Sequence, residues 1–106
     1  MNMQITNTDS IPGKEIVEIL GLAKGNTVRA KWFGKDIMAG LRNLVGGELI
    51  EYTEMLTEAR EEALSRMVKD AVALGADSVV NVRFMTSQIT QGAAELLAYG
   101  TAVKIK

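Results

Sequence analysis

The feature that most constrains the fold of this chain is one amphipathic segment between about Ile50 and Leu74. Apolar side chains recur there at helical spacing and form a single stripe: Tyr52, Met55, Leu56, Ala59, Ala63, Met67, Ala71 and Leu74. Charged side chains fall on the opposite side: Glu51, Glu54, Glu58, Glu61, Glu62 and Lys69. Gly75 suits the left-handed residue that ends a helix. The pattern predicts a long helix that buries its stripe against a second layer.

The remaining apolar segments predict three strands and a short helix. The strands run from Lys14 to Ala23, from Ser78 to Thr86 and from Glu95 to Lys106. Turns are predicted at Pro12-Gly13 and Gly25-Asn26, a short extension over residues 27–30, and a hairpin loop over Ser87–Ala94. Asp36 suits the start of a short helix through Val45, which Gly46-Gly47 ends. This order predicts a two-layer α+β fold, β-α-β-β, in one domain over residues 1–106.

Both faces of the predicted strands are apolar. In the last strand, for example, Leu97 and Tyr99 alternate with Leu96 and Ala98. One amphipathic helix covers only one face of a sheet, and an apolar face left open marks an interaction surface. We therefore expect a homo-oligomer. The residues predicted at its interface are Val79, Asn81, Arg83 and Ala98, where Asn81 and Arg83 line either an interfacial pocket or its polar rim.

Composition excludes several classes of function. The chain has no cysteine and no histidine, so it lacks thiolate nucleophiles, catalytic triads and the usual ligands of transition metals. Its 12 basic and 13 acidic residues nearly cancel and form no basic run, which argues against nucleic acid and membrane surfaces as partners. The first residues do not resemble a signal peptide, and no apolar run is long enough for a membrane span. We expect a cytoplasmic protein without a cofactor.

The segment Asp36–Glu48, DIMAGLRNLVGGE, resembles the signature of the YbjQ-like family, small prokaryotic proteins that carry a heavy-metal-binding label. The resemblance continues through Ala59–Ala63, Leu74–Val80, Gln91–Glu95 and Tyr99–Val103. It implies a subunit like that of dodecins and a ring-shaped homopentamer in which short extra strands help to join the subunits. It supplies no catalytic residues.

Few residues are candidates for a site. Arg42, Gly46 and Gly47 precede the long helix, whose N-terminal N–H groups favour anions, so they form a candidate anion site. The alternative is that one glycine caps the short helix and the other allows a sharp change of chain direction. Arg60 and Asp70 fall inside the apolar stripe. A charged residue there either forms a structural pair with an opposite charge or has a catalytic role. Six methionines and the carboxylates are the remaining metal donors.

The sequence favours a non-enzymatic homo-oligomer that binds a small ligand or serves as an assembly module. Two alternatives remain open. One is metal binding or metal tolerance, as the family label suggests, and the other is an enzyme with carboxylate and arginine sites at subunit junctions.

Overall fold

The computed structural model describes residues 3–30, 44–45, 48–90 and 92–106. In chain order its elements are β1 (Gln4–Ile5), β2 (Ile16–Ala30), β3 (Leu44–Val45), β4 (Glu48–Leu49), α1 (Ile50–Ala73), β5 (Ser78–Thr90) and β6 (Ala93–Ile105). Most of the short helix predicted from Asp36 lies outside the described residues. Its predicted end is wrong, because Leu44–Val45 forms a strand that pairs antiparallel with β4. Such short apolar runs fit a strand as well as a helix.

Four strands form a mixed sheet in the order β1-β5-β6-β2. β1 runs parallel to β5, whereas β5 and β2 both pair antiparallel with β6. α1 packs on one side of this sheet, mainly over β2 and to a lesser extent over β6. The predicted α+β class, with a long helix on an antiparallel three-stranded sheet and short extra strands, is confirmed.

The helix begins at the predicted residue and ends one residue early. The middle of its predicted stripe packs on the sheet, with Ala59, Ala63, Met67 and Ala71 fully buried, whereas Leu74 at its end is 39% exposed. Two backbone bonds close the last turn: the Gly75 N–H donates to Val72 O at 2.9 Å and the Ala76 N–H to Ala71 O at 3.0 Å. Gly75 has φ +85°, so it is the left-handed residue that this helix end requires.

The turn predicted at Gly25-Asn26 is wrong, since β2 continues through it to Ala30. Gly25 is buried beneath α1. A β-carbon at this position would collide with the Met67 N–H and the Ala63 carbonyl of the helix. The glycine therefore allows the strand and the helix backbone to approach closely, and it does not reverse the chain.

The hairpin loop predicted over Ser87–Ala94 is also wrong. β5 extends to Thr90 and β6 begins at Ala93, so only two residues connect the strands. Gly92 has φ +78°, as a tight hairpin turn requires. Residues 87–90 are exposed to solvent and mostly polar, so their sequence resembles that of a loop.

A β-bulge at Asn81 changes which residues share a face of β5. The pairing register shifts between Val80 and Arg83, and Asn81 has φ +55°. Val79 and Val82 consequently both lie in the core beneath the helix, while Val80 packs on the opposite face with Val103. Simple alternation, which places Val80 and Val82 together, is wrong here because the bulge adds one residue.

Two of the four predicted interface residues are part of this core. Val79 and Ala98 are fully buried in the cluster with Ala63, Met67 and Ala71 of α1. Their predicted position on the helix-free face is therefore wrong. Small residues on β6 face the helix because they allow its backbone to come close, whereas the larger Leu97 and Tyr99 point to the other side.

Candidate functional site

The helix-free face of the sheet exposes large apolar side chains. Register assigns Ile19 and Leu22 to this face, since they pair with Val103 and Thr101. Ile19 is 71% exposed and Leu22 66%. Val28 and Met85 lie farther along the same face and are also more than half exposed. Strict alternation along the sequence separates Ile19 from Leu22, but a register shift between Ile19 and Gly21 brings them to the same face.

The N-terminal segment covers one end of this face. Ile11 is buried there against Val80 and Val103, with Ile16 and Ile105 around them. Its position depends on the predicted turn at Pro12-Gly13, where the Lys14 N–H donates to Ile11 O at 3.0 Å and Gly13 has φ +79°. The remainder of the face, from Leu22 towards Met85, carries no such cover among the described residues.

A second apolar surface lies along one flank of α1, next to the core. Val68 is half-buried, and Val72 and Leu74 are about 40% exposed. Val68 and Val72 line a shallow groove of about 480 Å³ with Ser65 and Lys69. The chain therefore exposes apolar side chains in two places, one on the helix-free face of the sheet and one along a flank of the helix.

A third feature is a groove beside Arg83, between the N-terminal segment, α1 and β5. Its volume is about 460 Å³, and its described lining residues are Ile5, Thr6, Asn7, Leu64, Val82, Arg83 and Phe84. The Nη1 of Arg83 donates to Asn7 O at 2.8 Å and to Val82 O at 3.0 Å. Of the predicted site residues Asn81 and Arg83, Arg83 lines this groove. Asn81 forms the bulge two residues before it and is not one of the described lining residues.

The charges predicted within the helix stripe have different environments. Arg60 is exposed, whereas Asp70 accepts a hydrogen bond at 2.9 Å from the backbone N–H of Lys24 on the outer edge of β2. Arg66 donates to Asn26 O on the same edge at 2.6 Å and pairs with Glu62 at 3.2 Å. Helix side chains therefore satisfy backbone groups of the edge strand, a role that spacing along the sequence cannot show.

The described residues do not fit a heavy-metal centre. The chain has no cysteine or histidine, the ligands that soft metals prefer. In the described part of the chain, no three acidic side chains come close enough to share an ion. Four acidic residues of α1 are instead exposed to solvent: Glu54, Glu58, Glu61 and Glu62. The candidate anion site at Arg42, Gly46 and Gly47 lies outside the described residues.

Nor does any helical stretch in the described part of the chain combine the length and hydropathy that a membrane-spanning helix requires.

Comparison with known proteins places the chain in a family. Residues 3–106 match the family described as "Putative heavy-metal-binding" (YbjQ_1). A UPF0145 protein of Methanosarcina acetivorans is 66% identical over 103 residues, which cover 97% of each chain. One from Archaeoglobus fulgidus is 67% identical over 102 residues, covering 96% of this chain and 94% of that protein.

A solved structure has the same fold at low sequence identity. It is a protein of unknown function from Pediococcus pentosaceus, assigned to the DUF74 family. The match has a TM-score of 0.70 at 18% identity and covers 98% of both chains. Neither these names nor the family description mentions a catalytic activity. The chain belongs to the YbjQ_1 family, whose members have no established function.

Proposed function

We propose that this protein is a non-enzymatic homo-oligomer whose subunits join through the helix-free face of the sheet. The observation that carries the proposal is the exposure of Ile19 and Leu22 on that face. Burying one such side chain contributes about 2 kcal/mol. Large apolar side chains exposed next to each other on one face of a sheet are typical of an interface.

The second apolar surface, on α1, favours a head-to-tail arrangement. The sheet face of one subunit meets the Val68–Val72 side of the next helix, so sheet and helix layers alternate. Such a contact joins two different surfaces, and it closes into a ring when the rotation between subunits allows. The resemblance to the family implies a ring of five subunits, each with a fold like that of a dodecin subunit.

The test is to place a charge on the proposed interface and to measure the mass of the assembly in solution. Leu22→Asp introduces a carboxylate at a position that the isolated subunit leaves exposed, so the subunit itself tolerates it. In the assembly the same carboxylate loses its water without gaining a partner, which is strongly unfavourable. We expect light scattering to report smaller species for this variant, with its circular dichroism retained.

A matched control adds the same charge elsewhere. Thr57→Asp lies on the exposed, acidic side of α1. We expect it to keep the mass of the unmodified protein. If Leu22→Asp also keeps that mass, subunits do not join through this face.

A further inference from the structure

We infer that the groove beside Arg83 binds a small molecule that combines one carboxylate with an apolar body. This site goes beyond the proposed assembly, because its apolar lining residues Ile5, Leu64 and Val82 belong to the helix side of the sheet and not to the helix-free face.

The size and lining of the groove suit such a molecule. Its volume of about 460 Å³ is within the roughly 300–1,000 Å³ range of small-ligand pockets. Val82 is buried at its base, and the half-buried side chains of Ile5 and Leu64 border it. Phe84 is 48% exposed and offers an aromatic face to a ligand. These residues provide apolar contact with few competing polar groups.

Arg83 supplies the charge that selects the ligand. It is the one ionisable residue among the described lining residues. Its Nη1 is held by the carbonyls of Asn7 and Val82, which fixes one end of the guanidinium. The single ion pair between described residues joins Arg66 and Glu62, so Arg83 has no carboxylate partner among them. Its remaining N–H donors match the two oxygens of a carboxylate.

The backbone beside the groove departs from regular strand geometry. Asn81 has φ +55°, a conformation that few non-glycine residues adopt. The bulge at Asn81 changes the direction of the following side chains. The N–H groups of Asn81 and Val82 each donate at 2.9 Å to the N-terminal segment, at Thr8 O and Thr6 O. These bonds hold one wall of the groove against β5.

Charge complementarity identifies the occupant. Arg83 is exposed, so a neutral apolar molecule leaves its free donors to water and gains nothing from them, and a cation is repelled. A carboxylate attached to an aromatic or aliphatic body pairs with Arg83 and also packs against the apolar lining of the groove. The probe we choose is 4-phenylbutyrate, and its control is 4-phenylbutylamine, which has the same ring and chain length with the opposite charge.

The test is calorimetric titration of the full-length protein with each probe, together with mapping of backbone amide shifts. We expect 4-phenylbutyrate to shift the amides of Thr6, Asn7, Arg83 and Phe84. We expect the amine to bind at least about tenfold more weakly, the effect of losing one charge-assisted hydrogen bond. Equal binding of both probes, no binding of either, or shifts located elsewhere contradict the site.

Variants of the protein provide a second readout. Arg83→Gln should weaken binding of 4-phenylbutyrate by about tenfold. Arg60→Gln, which removes an exposed arginine that is not a lining residue, should leave it unchanged. Equal effects of the two substitutions contradict the site. Because Arg83 also holds Asn7, the comparison of probes on the unmodified protein tests the site even if Arg83→Gln fails to fold.

Light scattering on the same sample separates this inference from the proposed assembly. A monomer that binds 4-phenylbutyrate at the groove contradicts only the assembly. An oligomer that binds neither probe contradicts only the ligand site.

Discussion

Gly25 lies where β2 passes directly beneath the helix backbone, and its missing side chain allows this close approach. The sequence Gly25-Asn26 is typical of a turn, so local pattern alone predicts a reversal of the chain. The structure shows that the neighbours which demand glycine are Ala63, Arg66 and Met67, about forty residues away in the sequence. A requirement imposed by such distant residues cannot be predicted from the local pattern.

We predict that Gly25→Ala destabilises the protein by about 2 kcal/mol, the typical cost of adding volume to a packed contact. The new β-carbon would come within 2.7 Å of the Arg66 carbonyl carbon, and helix backbone cannot move aside as a flexible side chain can. Urea unfolding at one fixed protein concentration measures the change. Lys24→Ala, an exposed neighbour on the same strand, is the control and should change stability by less than about 0.5 kcal/mol. Equal stability of Gly25→Ala and the control contradicts the close contact.

Asn81 is a second residue whose role was only partly predictable. Its position among apolar strand residues indicates a polar site, but the bulge depends on how β5 pairs with β6. Because the bulge adds a residue, Val82 joins Val79 beneath the helix, whereas alternation separates these two residues. The groove beside Arg83 could therefore not be predicted from alternation.

Among the elements, α1 was predicted almost to the residue, whereas the strands were not. The limits of the helix depend on local features: a long apolar periodicity and a glycine that ends it. The β5–β6 hairpin is longer than predicted, because the strand residues near its tip are exposed to solvent. Polar residues on a solvent-exposed strand resemble a loop in sequence, so Ser87–Thr90 was predicted incorrectly.

The contact between α1 and the edge of β2 leads to a prediction at this scale. Asp70→Ala removes the acceptor of the Lys24 N–H and should cost about 1 kcal/mol in the free energy of unfolding. Asp70→Asn keeps an amide oxygen at that place and should cost less than Asp70→Ala. The control is Glu58→Ala, an exposed acidic residue on the same helix. Thermal unfolding of the three variants at equal protein concentration ranks them, and equal values would show that the bond does not stabilise the edge.

For the whole molecule, sequence alone indicated that the sheet has two apolar faces, but it did not identify which one the helix covers. Val79 and Ala98 lie beneath α1, while Ile19 and Leu22 are exposed. An interface variant chosen from the sequence, such as Val79→Asp, would therefore disrupt the core. The helix covers the side where Ala, Gly and Thr residues of the strands permit close packing.

The composition of the molecule also conflicts with the heavy-metal description of its family. We predict that neither Zn²⁺ nor Cd²⁺ binds more tightly than roughly micromolar at physiological salt, because the chain has no thiolate or imidazole. Symmetry in an oligomer only repeats the donor types that each subunit has. Titration calorimetry measures the affinity. Nanomolar binding in a fixed ratio to subunit or ring would show that carboxylates, thioethers or backbone oxygens form a site after all.

The most direct test of the proposed assembly is the mass of the unmodified protein in solution. Light scattering after size-exclusion chromatography, repeated from low to high micromolar concentration, gives that mass without any substitution. We predict a constant multiple of the 11.5 kDa chain mass, five chains if the ring has the number that the family resemblance implies. A stable, folded species of 11.5 kDa across this range would contradict the account, because Ile19, Leu22, Val28 and Met85 would then remain exposed to water without a partner.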